Sequence, residues 1–205
     1  MGLKDLSAVN FVKVLASKEP TPGGGSVAAL VGANGVGLLL MVASYIEDQN
    51  AIRSVWEPFE KAKNNLLDLV DLDALSFDTY MKAAHLPKIT EEEKKSRSEK
   101  MQEAITYASQ IPFRTMKACF DVIPFMDILM AYCKKNMISD LGAAATSLRA
   151  SIESAYLNII INAYSIKDPN VSSQLLSDAN QMKDSSVQKL DSIYQNVVLI
   201  LAPHS

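Results

Sequence analysis

Apolar residues recur along this chain at intervals of three and four, and runs of strict alternation are scarce. The pattern predicts helices nearly throughout. Leu6, Val9, Val12 and Leu15 trace a first short helix that ends before Pro20. Pro20 to Ser26, reading PTPGGGS, is the clearest loop. A Gly/Ala-rich helix follows from about Ser26. The next helix runs from about Arg53 to Ala84, with Leu66, Leu69, Val70, Asp73, Phe77 and Met81 on one broad face. Thr90 to Glu93, reading T-E-E-E, is a capping box for a helix reaching about Ser109. Pro112 suits the first turn of another helix, and Pro124 should kink or break it. Ser139 to Ile166 reads as one long helix stopped by Asp168-Pro169, and a last helix spans roughly Val171 to Leu201. Long helices with short connections imply an all-α fold, a bundle of mostly antiparallel helices in a single domain over residues 1–205.

Val27 to Ala43 is the one stretch that resembles a membrane span. Its length is marginal against the ~20 residues a span needs. No Lys or Arg anchors either end, and small residues recur at Ala29, Ala33 and Gly37. It reads as a helix buried inside a bundle or at a subunit interface, so a homodimer or higher homo-oligomer is expected, without membrane contact.

Composition narrows the function classes. Charged residues are 21% and apolar residues 48%, a balance that supports a packed core over disorder. The net charge of −3 comes without a basic block, which argues against a nucleic-acid partner. Only His85 and His204 are present, too few for a His/Cys zinc site or a Ser-His-Asp set. Cys119 and Cys133 belong to no CxxC pair and read as free thiols of a reducing compartment. Met1 to Asn10 lacks the apolar segment of a cleavable signal, and a cytoplasmic location is expected.

Four features could carry chemistry. Gly23, Gly24 and Gly25 permit φ > 0 and a close backbone approach, just before a helix N-terminus that Ser26 could cap. Such a segment suits a carboxylate, a phosphate or a polar ring, or is merely a turn. Asp73 falls on the apolar side of its helix while Asp71 points elsewhere. An acid there is either a general acid/base or a buried hydrogen-bonding anchor. Asn136, Ser139 and Asp140 open a helix, where Ser139 or Asp140 could be a simple N-cap. Asn158 and Asn162 share a face further along, able to bind a heterocycle or to bridge helices. Lys88 and Arg97 are basic, whereas Lys94, Lys95 and Lys100 read as a solvated face.

In series, PTPGGGSVAALVGANG, VDLDALSFDTYMKAAHLPKITEEEKKSR, Ile111-Pro112, NMISDLGAAATSL and AYLNIIINAYSIKD resemble the cyclodeaminase family of folate enzymes over roughly residues 4–168. The resemblance implies an all-helical oligomer acting on a reduced folate, with no cofactor beyond the tetrahydrofolate substrate. It implies 5-formiminotetrahydrofolate cyclodeaminase activity: N10 attacks the formimino carbon on N5, ammonia leaves, and 5,10-methenyltetrahydrofolate forms. Similar proteins are methenyltetrahydrofolate cyclohydrolases, and a non-catalytic folate-binding or scaffold protein is a third reading. On this resemblance Asp140 or Asp73 moves the proton, and Asn158 and Asn162 hold the pterin edge. Asn136 and Ser139 join the substrate contacts. The Gly23–Ser26 backbone with Lys88 or Arg97 receives the anionic glutamate tail. One segment departs from the family's Met-Val-x-x-Leu-Thr-x-Gly-Lys. Ile46, Asp48 and Gln49 stand where Thr, Gly and Lys are usual, and the local acidity should weaken binding of an anionic tail.

Overall fold

The computed structural model describes residues 2–202, and His204 lies outside that range. The helices are α1 (Ala8–Leu15), α2 (Gly24–Ser44), α3 (Trp56–Ala84), α4 (Glu91–Phe120), α5 (Met126–Tyr132), α6 (Ile138–Ala163) and α7 (Pro169–Leu201). No strand occurs among the described residues, so the all-α expectation holds.

α2 is the hub, packed against α3, α4 and α6. It runs antiparallel to α6, since Gly24 faces Asn158, Gly32 faces Ser151 and Gly35 faces Leu148. The Ser151 hydroxyl donates to the Ala28 carbonyl at 2.7 Å across this seam. A Cβ on Gly32 would stand 2.7 Å from Ser151 Oγ and 2.8 Å from Cys119 Sγ. The close approach therefore falls at Gly32 and Gly35. Of the small residues read from the sequence, Ala29 and Ala33 are buried and Gly37 faces open space. α2 is apolar enough to resemble a span, yet over half of it is buried inside the bundle. Its remaining stripe, with Val27, Leu30, Val31, Leu38 and Met41, is only partly covered.

α3 buries Leu66, Leu69 and Val70 completely, each contributing roughly 1.5–3 kcal/mol. α4 begins on the expected capping box: Glu93 N donates to Thr90 Oγ1 at 3.1 Å and Thr90 N to Glu93 Oε2 at 3.0 Å. Several helix boundaries differ from the sequence reading. α4 runs straight through Pro112 rather than restarting there. An internal proline costs about 3 kcal/mol, and burial of Ala108, Ile111, Thr115 and Met116 around it offsets that. Asp168-Pro169 both separates α6 from α7 and starts α7, with the Asp168 carboxylate accepting from Asn170 N at 2.9 Å and Pro169 in the first turn. Pro124 does break the chain, between α4 and the short α5.

Candidate functional site

A cleft of about 350 Å³ opens where the N-terminus of α2 meets α3, α4 and the C-terminal end of α6. That size is at the small end of the range for ligand pockets. α2 contributes Gly24 and Gly25, preceded by Pro20, Thr21 and Gly23. α3 contributes Asp73, Ser76, Phe77 and Tyr80, which recur at helical spacing on one face. Ile105 and Ala108 of α4 form the floor, and Asn158, Ile161 and Asn162 of α6 the opposite wall.

The glycine run works differently from the sequence expectation. No described residue has positive φ. Gly23 is extended, and Gly24 and Gly25 are already helical, so α2 starts two residues earlier than expected. The Ncap is Gly23, which has no side chain to offer. Ser26 is therefore the third residue of the helix and not its cap. Instead, Asp73 of α3 comes over this first turn. A Cβ on Gly25 would stand 2.6 Å from the Asp73 carboxyl carbon, so only glycine admits the carboxylate.

Ser26 Oγ lies 2.9 Å from Asp73 Oδ2 and 3.0 Å from the Val70 carbonyl. A hydroxyl has one proton to donate. With Asp73 ionised, Ser26 donates to the carboxylate. With Asp73 protonated, the carboxyl can donate to Ser26 Oγ, which turns to Val70. Burial pushes the Asp73 carboxyl above its ordinary value, and hydrogen bonding from the Ser26 hydroxyl and backbone pulls it part way back. The result is a partly buried acid that can hold or release a proton facing a cleft. Asp71 indeed points away and accepts from Lys4 N at 3.2 Å.

Asn158 and Asn162 both reach the cleft. Asn158 Nδ2 donates to the Ser154 carbonyl at 2.8 Å, which turns its carbonyl oxygen free for a ligand. The other sequence-derived residues lie elsewhere. Lys88 is in the exposed loop after α3. Arg97 Nε donates to the Ala84 carbonyl at 2.9 Å, at the C-terminus of α3. Ser139 and Asp140 are in the first turn of α6, and Asn136 lies just before it. Asp140 is eighteen residues from Asn158 along α6, about 27 Å at 1.5 Å per residue. A single chain therefore does not bring Asp140 to the cleft. The departing segment is at that same far end. Ile46 is buried, Gln49 Nε2 donates to the Ile46 carbonyl at 2.5 Å, and Glu47 pairs with Lys134 at 2.6 Å. Within one chain Glu47 faces Lys134 and Asp48 accepts from Ala51 N at 3.1 Å.

Tyr80, Ser76 and Thr21 were not singled out by the sequence reading. Continuing the Asp73–Phe77 face by one turn reaches Tyr80, so that signal was present. Thr21 needed the loop conformation.

The formiminotransferase-cyclodeaminase family model matches residues 7–181. The chain belongs to this family. Its relatives include a methenyltetrahydrofolate cyclohydrolase of Methylorubrum extorquens, 34% identical over 194 residues, covering 91% of this chain and 93% of that protein. The formimidoyltransferase-cyclodeaminase of Mus musculus is 34% identical over 173 residues, which cover 81% of this chain and 32% of that protein. The chain thus matches about a third of the longer animal proteins. A crystal structure of formiminotetrahydrofolate cyclodeaminase from Thermotoga maritima superposes with a TM-score of 0.79 at 26% identity, covering 96% of this chain and 99% of that one. These folate cyclodeaminase and cyclohydrolase relatives are enzymes of one-carbon metabolism, and the cleft on α2, α3 and α6 is where this member of the family has its convergent polar groups.

Proposed function

We propose that this chain is a 5-formiminotetrahydrofolate cyclodeaminase and that Asp73 is its proton carrier. The observation that supports this is a partly buried carboxylic acid set against Gly25 in the first turn of α2, facing a cleft walled by two asparagines. In the proposed reaction N10 attacks the carbon of the formimino group, which is protonated on its nitrogen, and N10 loses its own proton to the Asp73 carboxylate. The tetrahedral carbon then has two nitrogens of the ring and one departing nitrogen. Asp73 returns the proton to the departing nitrogen, ammonia leaves, and the 5,10-methenyl cation remains. One group with a raised pKa suits both transfers, because it takes and gives a proton at small cost. Asn158 and Asn162 hold the pterin edge. The chemistry asks for proton transfer and positioning, with no cofactor beyond the folate itself.

A second reading, methenyltetrahydrofolate cyclohydrolase, is favoured by the Methylorubrum relative, which is similar in length and matched nearly end to end. There Asp73 would deprotonate the attacking water. Purified protein with 5-formiminotetrahydrofolate tests the first reading. A methenyl absorbance band that rises faster than in buffer, with ammonia released, is expected. Decay of added methenyltetrahydrofolate in place of that rise would assign the second.

We propose further that the chain self-associates along the partly covered stripe of α2. Antiparallel pairing of two α2 helices would set the Asp140 end of one copy beside the cleft of the other. That is the route by which Asp140 would act.

A further inference from the structure

The cleft contains no cation: among its lining residues Asp73 is the only charged one. A folate's glutamyl carboxylates must therefore be met outside it. The floor of the cleft, Ala108 and Ile105, continues along α4 to Met101 and then to Arg97 and Ser98, all half-buried. Arg97 is eight residues from Ile105, about 12 Å along the helix. The aminobenzoyl linker and the carbon chain of the glutamate together cover a comparable length.

Two cations flank this exit. Arg97 is held on the α3 side by the Ala84 carbonyl at 2.9 Å. On the other side the α6–α7 turn docks onto α4. Gln102 Nε2 donates to the Ser165 carbonyl at 3.0 Å, Lys167 N donates to Gln102 Oε1 at 2.7 Å, and Lys167 Nζ donates to Ser98 Oγ at 2.6 Å. Ser165 itself lines the cleft. Among the described residues neither Arg97 nor Lys167 is paired with a carboxylate, whereas nine other basic-acidic contacts are made elsewhere. Both are pinned by neutral oxygens, which position a charge without neutralising it. We infer that Lys167, with Arg97 across α4 from it, is the seat for the glutamyl carboxylates of the substrate. This inference rests on the folate reading above and adds Lys167, which the sequence did not single out.

The test compares 5-formiminotetrahydrofolate with 5-formiminotetrahydropteroate, which lacks the glutamate. For Lys167→Ala, KM for the glutamate-bearing folate should rise roughly three- to tenfold with kcat nearly unchanged. Lys167→Glu should raise it further, and Lys167→Arg should restore it. On the pteroate, wild type and all three variants should coincide. Lys95→Ala removes an exposed charge from α4 and should change nothing. An unchanged KM for Lys167→Ala, or an equal loss on both compounds, overturns the seat. If wild-type protein turns over neither folate, the catalytic reading alone fails. Dissociation constants for the same two compounds then decide the seat by the same criteria.

Discussion

Gly25 and Asp73 occupy one space: a methyl group on the glycine would press within 2.6 Å of the carboxyl carbon of the acid. α2 has no side-chain cap of its own, and the carboxylate of a different helix fills that place. The same contact fixes where the acid faces. Gly25→Ala should therefore displace Asp73 by about an ångström and lower kcat roughly a hundredfold, while far-ultraviolet circular dichroism stays that of the folded helix bundle. Wild-type turnover in this variant would separate Asp73 from the chemistry.

Asp73→Asn keeps the shape and the hydrogen-bonding oxygen but cannot carry the proton. We expect kcat to fall about 10²- to 10⁴-fold. Stability should move the other way. Because burial raises the Asp73 value, the folded state holds this proton more tightly than the unfolded chain. The acid thus favours folding fully below its ordinary value of 3.8, and that contribution is lost as pH rises through the raised folded value. Urea melts of both proteins between about pH 4 and pH 7 should show Asp73→Asn gaining on wild type as pH rises. A constant gap across that range would contradict the buried titration.

Ser26→Ala removes the hydroxyl that stabilises the charged form. The acid limb of the kcat/KM profile should shift to higher pH, because the ionised carboxylate loses a donor. A limb that stays in place would assign the titration to another group.

Asp140 is the sharpest test of assembly. If it acts in the cleft, it does so from a second copy, since its own chain keeps it about 27 Å away. Asp140→Asn should then lose turnover alone, as should Asp73→Asn. Mixing the two and letting subunits exchange should restore a part of it, because one of the two sites in a mixed dimer has both acids intact. Full turnover by Asp140→Asn would remove it from the mechanism.

Much of this protein was legible in its residues, and the parts that were share a cause. Helical periodicity, the Thr90–Glu93 box and the break at Pro124 are local: neighbours in sequence decide them. The same holds for Asp73 sharing a face with Phe77, and Asn158 with Asn162, because the helix repeat alone places them. Even the family resemblance rests on short segments read in order.

Only the tertiary structure decided the rest. Pro112 stays inside α4 because burial on both sides outweighs a local cost. Gly25 is needed for the approach of a carboxylate from α3, forty-eight residues on, and no local rule on φ could say so. Antiparallel packing of α2 on α6 sends Asp140 to one end of the bundle and Asn158 to the other. It also carries Lys167 next to Ser98, sixty-nine residues away in sequence. Periodicity tells which residues share a helix face. Which faces meet, and at which level, is set by the fit of side chains between helices far apart in the chain.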